Sequence, residues 1–171
     1  MKRRLFLAST AATASGCGYR LAGTADLLPR NIQKIALPPF GNVNTRYRLA
    51  DKLPNYLARE FISRTRFEVV PDESAADAVL GGGINNVISF PTSFDPATGR
   101  AAAVEIIVIL NVTLRERSSG KVLYTAPNYT FRQRYEISID PAQYFDESST
   151  AFDRLATDVA RSVVSSILEN F

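Results

Sequence analysis

The amino-acid sequence predicts an α+β fold, and three features of its patterning support this prediction. The first half of the chain contains a short apolar strand, an amphipathic helix and a second short strand. The second half contains long segments in which apolar and polar residues alternate with the period of two that is typical of β-strands. The closing segment returns to the three- and four-residue spacing of a helix with one apolar face.

The first half begins with a predicted strand at 32–40, which Pro38 and Pro39 end because proline donates no ladder hydrogen bond. Residues 67–70 form the next predicted strand. Between them lies a helix over 48–64, whose apolar face consists of Leu49, Leu53, Tyr56, Leu57 and Phe61. A strand–helix–strand unit usually joins parallel strands, so we expect these two strands to lie parallel in one sheet.

Three long strands and a helix are predicted for the second half. The strands cover 76–90, 103–117 and 121–139, a turn-rich loop covers 91–99, and the helix covers 145–169. The middle strand has one unbroken apolar face and one mixed face, which is typical of a central strand. The last strand alternates aromatic with polar residues and is interrupted near Pro127, so we expect an antiparallel strand with one solvated face.

Gly81, Gly82 and Gly83 lie inside the predicted strand at 76–90. A glycine-rich loop that binds phosphate would be followed by Gly-Lys-Ser/Thr and by a helix, and neither follows here. Glycine within a strand instead indicates a bulge or a close approach of neighbouring backbone.

The first sixteen residues are predicted to form a cleaved signal peptide. Three basic residues are followed by a short apolar stretch and by the small residues Ala14, Ser15 and Gly16. The apolar stretch is far shorter than the about 20 residues that span a bilayer. The next residue, Cys17, stands where the lipobox of bacterial lipoproteins has its acylated cysteine, although Ala14 occupies the position at which leucine is usual.

We therefore expect a diacylglycerol on the thiol of Cys17 and an N-acyl lipid such as palmitate on its amino group. The predicted organisation is a signal peptide at 1–16, a lipidated tether at 17–31 and a single α/β domain at 32–171. An ordinary signal peptide with a chance cysteine is the alternative. Arg3 and Arg4 also resemble a twin-arginine export signal, and the general secretory route is the alternative to it.

The charge balance argues against nucleic acid as a partner. The full chain has 20 Lys and Arg against 17 Asp and Glu, a net charge of +3. Residues 1–16 hold three of the basic residues, so cleavage leaves a chain without net charge. Proteins that bind nucleic acid need a basic surface, and the overall charge of the mature chain does not indicate one.

The residues on which most enzymes depend are missing, and we expect neither catalysis nor a bound metal or dissociable cofactor. The chain has no histidine, which is the commonest general base and metal ligand. Its one cysteine is assigned to the lipid anchor, which also excludes an intrachain disulfide. No GxSxG or Ser-x-x-Lys nucleophile motif occurs.

Arginines are the candidate binding residues. Arg132 and Arg134 share the solvated face of the last predicted strand, in a segment that also carries aromatic residues. A guanidinium group pairs well with phosphate, so this face could bind an anionic amphiphile. A solvated sheet face without a ligand is the alternative.

Short sequences near both ends of the predicted mature chain are similar to those of one family. The residues after the cleavage site, Cys17-Gly18-Tyr19-Arg20-Leu21, resemble the Cys-Gly-aromatic-x-Leu start of LptE, the lipopolysaccharide-assembly lipoprotein of the Gram-negative outer membrane. The segments 34–38 and 155–168 are also similar, and the order of elements agrees over essentially the whole mature chain.

The resemblance implies a two-layer α+β sandwich, with two helices packed on one mixed sheet of about four strands. It also implies a role without covalent chemistry, because LptE proteins plug the outer-membrane β-barrel LptD, assist its assembly and contact lipopolysaccharide. In the family, basic residues near a sheet edge or hairpin are associated with that contact, and Arg100 is the positional match here, in addition to Arg132 and Arg134. The implied location is the outer membrane, on its periplasmic side and inside the partner barrel.

A periplasmic lipoprotein that regulates a peptidoglycan synthase is the alternative role. Such proteins also combine a lipid anchor, one small domain and no active site, but they commonly have a longer tether. The tether here, residues 18–31, reaches at most about 50 Å when fully extended. This length keeps the domain near its membrane and favours the LptE-like role.

Overall fold

The computed structural model describes residues 29, 31–42, 49–137 and 148–169. Its elements are β1 (Lys34–Ala36), β2 (Gly41–Asn42), α1 (Leu49–Arg64), β3 (Glu68–Val70), β4 (Ala78–Phe94), β5 (Ala101–Glu116), β6 (Val122–Glu136) and α2 (Ser148–Glu169). The predicted signal peptide, Cys17 and most of the predicted tether lie outside the described residues. So do Arg48 and residues 145–147, at the predicted starts of the two helices.

The strands form one mixed sheet in the order β3-β1-β4-β5-β6, and β2 also pairs with β4. β1 is parallel to β3, as the strand–helix–strand pattern predicts, and it is also parallel to β4 on its other side. β4 and β5 are antiparallel to each other, and so are β5 and β6. The predicted α+β class with a mixed sheet is confirmed, and the sheet has five strands along its path plus the short β2, against the about four expected.

Both helices cover the same face of the sheet and share one apolar core with it. α1 buries the stripe Leu49, Leu53, Leu57 and Phe61. α2 buries a wider set of ten apolar residues, among them the predicted Phe152, Leu155, Val159, Val163 and Ile167. Lys52 of α1 and Asp153 of α2 form an ion pair of 2.5 Å between the two helices. The result is the two-layer arrangement that the family resemblance implies.

β5 alternates as predicted. From Ile106 onward its buried residues, which belong to the core under the helices, are Ile106, Val108, Leu110, Val112 and Leu114. The residues between them are only partly buried. The predicted interruption of β6 near Pro127 is also confirmed. Leu110 of β5 pairs with Tyr129 and Val112 pairs with Ala126, so the register shifts at the position of Pro127.

The end of β4 corrects the sequence prediction. The loop expected at 91–99 is wrong for its first part, because β4 continues through Pro91 to Phe94. Beyond Ile84, β4 pairs with β5 on one side and with no strand of the described residues on the other. Proline is tolerated on such an edge, where a missing N–H breaks no second ladder.

Gly82 explains the glycines in β4. A Cβ at this position would lie 2.2 Å from the carbonyl oxygen of Asn111 and 2.8 Å from Cε1 of Phe40. Nearby, the register between β4 and β5 shifts between Ile84 and Asn86. Both the close backbone approach and the bulge predicted from the glycine run are therefore present.

Candidate functional site

The candidate site is the face of the sheet opposite the helices, which we call the open face. In β5, Ile106 and Val108 point toward the helices, whereas Glu105, Ile107 and Ile109 alternate with them and are partly exposed. Residues directly opposite each other in an antiparallel ladder lie on the same side of a sheet. The register of β5 with its neighbours therefore identifies the residues of β4 and β6 that complete the open face.

Two rows of paired residues across the open face combine apolar and basic side chains. Each row contains one residue from each of β4, β5 and β6. The first row is Ile88, Ile107 and Arg132, and the second row is Phe90, Glu105 and Arg134. Ile88 is 42% exposed and Phe90 is 38% exposed. Neighbouring strands are about 4.8 Å apart, so the backbone of each arginine lies two strand spacings from that of an exposed apolar residue.

Glu105 is the one carboxylate within these rows. Its Oε1 lies 3.7 Å from Nη1 of Arg132, whose side chain is 66% exposed. An ion pair this exposed typically contributes about 0–1 kcal/mol, so it holds Arg132 only weakly. Arg134 has no ion pair with any residue that the structure describes. Both guanidinium groups are therefore available to an anionic ligand.

Arg100 lies apart from this pair, at the tip of the β4–β5 hairpin. The tip is closed by a hydrogen bond of 2.9 Å from the Asp95 N–H to the Arg100 carbonyl, and Gly99 adopts a φ of 67°. Arg100 precedes Glu105 by five residues, which is about 17 Å along an extended chain. The structure brings Arg132 and Arg134 together and leaves Arg100 at a distance from both.

The apolar part of the open face is the component that sequence reasoning missed. The strand pattern suggests aromatic residues of β6 beside the arginines, but those residues face the helices, and Tyr129 shares a hydrogen bond of 2.9 Å with Ser166 of α2. The apolar neighbours are instead Ile88, Ile107 and Phe90. The alternation of β4 places Ile88 and Phe90 on one face of that strand, but only the pairing with β5 shows that this face lies on the same side of the sheet as the arginines.

Neither a metal site nor a membrane-spanning helix is found in the described part of the chain. No group of three or more His, Cys, Asp and Glu side chains there is arranged to hold a metal ion. Neither α1 nor α2 combines the length and apolar character that crossing a bilayer requires.

The family follows from a match to the sequence model of LptE, whose description is lipopolysaccharide-assembly. The match covers residues 32–167, which include every strand and almost all of α2. The chain belongs to the LptE family. Lipopolysaccharide assembly is therefore its function at the level of the family. No curated protein is significantly similar to this LptE-family chain in sequence.

Solved structures of other bacterial proteins share the fold of this LptE-family domain. PelC of Paraburkholderia phytofirmans, a dodecamer, matches with a TM-score of 0.52 and 19% identity over 78% of this chain and 87% of PelC. A Xanthomonas campestris protein matches with a TM-score of 0.51 and 16% identity, over 80% of this chain and 84% of that protein. A hypothetical protein of Chlamydia trachomatis matches with a TM-score of 0.51 and 11% identity, over 82% of this chain and 99% of that protein. At these identities the likeness shows the fold alone.

Proposed function

We propose that this LptE-family protein is the lipoprotein partner of an LptD-like outer-membrane β-barrel, which it plugs and helps to assemble, and that its open face contacts lipopolysaccharide. Acylated Cys17 holds it to the outer membrane, where the domain lies on the periplasmic side and inside the barrel. In this role it performs no covalent chemistry and needs no cofactor.

The observation that supports the lipopolysaccharide contact is the presence of guanidinium groups and exposed apolar side chains in the same two rows. Lipopolysaccharide is an anionic amphiphile, with phosphate groups next to acyl chains. Arg132 and Arg134 are two residues apart on one strand face, about 7 Å, so they can share one phosphate or bind two neighbouring ones. Ile88 and Phe90 offer apolar surface within the same face.

Pull-down of the native protein from detergent-solubilised outer membrane tests the proposed partner. We expect an LptD-like barrel to be recovered with it. Recovery without any such barrel would refute the plug and assembly role. A peptidoglycan synthase in its place would support the alternative role of a synthase regulator.

Charge reversal on β6 tests the proposed ligand. We expect Arg132→Glu combined with Arg134→Glu to weaken binding to lipopolysaccharide micelles by at least tenfold, because a hydrogen bond to a charged group contributes about 1.5–3 kcal/mol and about 1.4 kcal/mol corresponds to a factor of ten. Binding is measured by titration, and circular dichroism verifies that the variant is folded.

The matched control reverses two exposed arginines on the outer side of α2. Arg154→Glu combined with Arg161→Glu changes the net charge by the same amount but leaves the open face intact. We expect this control to bind like the wild type. If both double variants lose the same amount of affinity for lipopolysaccharide micelles, the effect is one of net charge, which would contradict a site on the open face.

Mass spectrometry of the mature amino terminus tests the anchor. The expected mass is that of Cys17 with a diacylglycerol and an N-linked acyl chain. An unmodified Cys17 would remove the anchor from the proposal.

A further inference from the structure

A groove of about 460 Å³ lies on the open face beside the turn between β5 and β6. Its floor consists of Val79, Gly81 and Thr113, and its sides carry two arginines and two glutamates, namely Arg115, Arg117, Glu73 and Glu116. Sites for small molecules usually have volumes of about 300–1,000 Å³. The groove is therefore large enough for a headgroup-sized ligand.

The groove exists because the segment between β3 and β4 crosses the open face. Ala76 in this segment packs in a small apolar cluster with Ala36 and Val70, and Val79 lies against that cluster. Glu73 projects from the same segment, within a short 3₁₀ turn. Between this wall and β5, a Cβ on Gly81 would meet no atom within 4 Å, so the absent side chain leaves the floor open.

Both arginines of the groove are held in place by backbone carbonyls. The Arg117 Nε–H donates to the Ala76 carbonyl at 2.7 Å, and the Arg115 Nη1–H donates to the Gly120 carbonyl at 2.9 Å. Each bond uses only part of a guanidinium group that has five N–H donors. Arg115 lies near the end of β5, Arg117 directly follows the strand, and both line the same groove, which suits a shared phosphate.

The two glutamates differ in what they can still bind. The carboxylate of Glu116 accepts hydrogen bonds from Ser119 and from Asn31, and these bonds lower its pKa. The carboxylate of Glu73 has no hydrogen bond or ion pair with the described residues. The groove therefore offers two preorganised guanidinium groups and one available carboxylate on the facing wall.

We infer that this groove binds the headgroup of a phospholipid of the phosphoethanolamine type, with the phosphate on Arg115 and Arg117 and the ammonium group on Glu73. A purely anionic headgroup would leave the Glu73 charge facing a like charge. A choline headgroup has no N–H to donate to Glu73. The phosphoethanolamine group matches both the signs of the charges and the hydrogen-bonding capacity of the groove.

The point at which the chain enters the domain favours the membrane as the source of this headgroup, a step that rests on the anchor in the proposed function. The Asn31 Nδ2–H donates to the Oε1 of Glu116 at 2.8 Å, so the chain enters the domain beside the groove. Cys17 precedes Asn31 by fourteen residues, a span of at most about 50 Å. The groove thus lies within reach of the headgroups of the membrane that holds Cys17.

The groove is distinct from the proposed lipopolysaccharide contact. Arg115 lies eight residues from Ile107, the partner of Arg132, which is about 26 Å along β5. The two basic pairs therefore act on separate ligands at the two ends of the open face.

Titration of the purified mature lipoprotein in detergent tests this inference. The probes are glycerophosphoethanolamine, glycerophosphocholine and inorganic phosphate, and the readout is the NMR shift of the Gly81 and Thr113 amides. We expect saturable shifts with glycerophosphoethanolamine and at least fivefold weaker binding of the other two. Absence of saturable shifts, or equal binding of inorganic phosphate, would overturn the inference.

Variants separate the two parts of the site. Arg115→Gln should weaken binding of glycerophosphoethanolamine at least fivefold, and Glu73→Gln should abolish its preference over glycerophosphocholine. Arg161→Gln, on the outer side of α2, is the matched control and should bind like the wild type. If Glu73→Gln retains the full preference, the assignment of the ammonium group to Glu73 is wrong.

The outcome is independent of the proposed partner. The titration uses soluble probes, so it measures binding to the groove whether or not a barrel is recovered in the pull-down. Failure of the titration together with recovery of the barrel would overturn this inference and leave the proposed function standing.

Discussion

Replacing Gly82 with alanine is predicted to be one of the most destabilising small changes in this domain. Gly82 lies in β4 opposite β5, and the added Cβ would be 2.2 Å from the Asn111 carbonyl oxygen. Ordinary contacts of a Cβ begin at 3.4 Å. The two strands would therefore have to separate locally by about 1 Å, and the ring of Phe40 would also have to move.

The magnitude follows from what has to move. Overpacking a well-packed core typically costs about 1–3 kcal/mol. Here the obstacle is the backbone of a central strand rather than a flexible side chain, so we expect a loss of about 3 kcal/mol in the free energy of unfolding. In a domain of this size, 1 kcal/mol corresponds to about 2–4 °C in Tm, so the melting temperature should fall by about 6–12 °C.

Gly81→Ala is the matched control for Gly82→Ala. Its Cβ would meet no atom within 4 Å, and Gly81 is not among the residues with positive φ. Alanine there should leave the free energy of unfolding unchanged or raise it slightly, since it lowers the entropy of the unfolded chain. Thermal melts and urea titrations of both variants by circular dichroism provide the comparison. If Gly81→Ala and Gly82→Ala lower the free energy of unfolding by similar amounts, the close approach of the Asn111 backbone to Gly82 is not the cause of the destabilisation.

Two further predictions concern the core and the pH dependence of stability. Leu110→Ala, at a fully buried position of β5, should lower the free energy of unfolding by about 2–5 kcal/mol. Ile88→Ala on the open face should lower it by less than about 1 kcal/mol but should weaken lipopolysaccharide binding. Urea titration measures the stabilities and micelle titration measures binding, and a larger loss of stability for Ile88→Ala than for Leu110→Ala would reverse the assignment of the faces. The carboxylate of Asp77 accepts hydrogen bonds from the backbone N–H groups of Gln33 and Lys34 at 2.9 Å each, and these bonds hold its pKa below the usual range of an aspartate. A lowered pKa stabilises the folded state at neutral pH, and this contribution is lost as the pH falls below about 4. Asp77→Asn keeps an acceptor oxygen without the charge, so its stability deficit in urea should shrink between pH 7 and pH 3, and a deficit independent of pH would contradict this account.

The candidate site was only partly predictable from the sequence. The alternation of β6 places Arg132 and Arg134 on one face, and the structure confirms that placement. The pattern does not reveal which residues lie beside them, because the neighbours belong to β4 and β5 and depend on register. The family resemblance groups Arg100 with the pair, but the length of the hairpin separates it from them. The groove of Arg115 and Arg117 also required the tertiary structure, because its second wall comes from residues about forty positions earlier in the chain.

The sequence by itself determined the order of the elements other than the short β2, the apolar stripes of α1 and α2 and the two faces of β5, because each of these depends on spacing within one segment. The tertiary structure decided the strand order, the continuation of β4 through Pro91 and the composition of the open face. These features depend on pairing between distant segments. Pro91 illustrates the difference: taken alone it predicts the end of a strand, but on an edge of the sheet its missing N–H breaks no second ladder, and the strand continues.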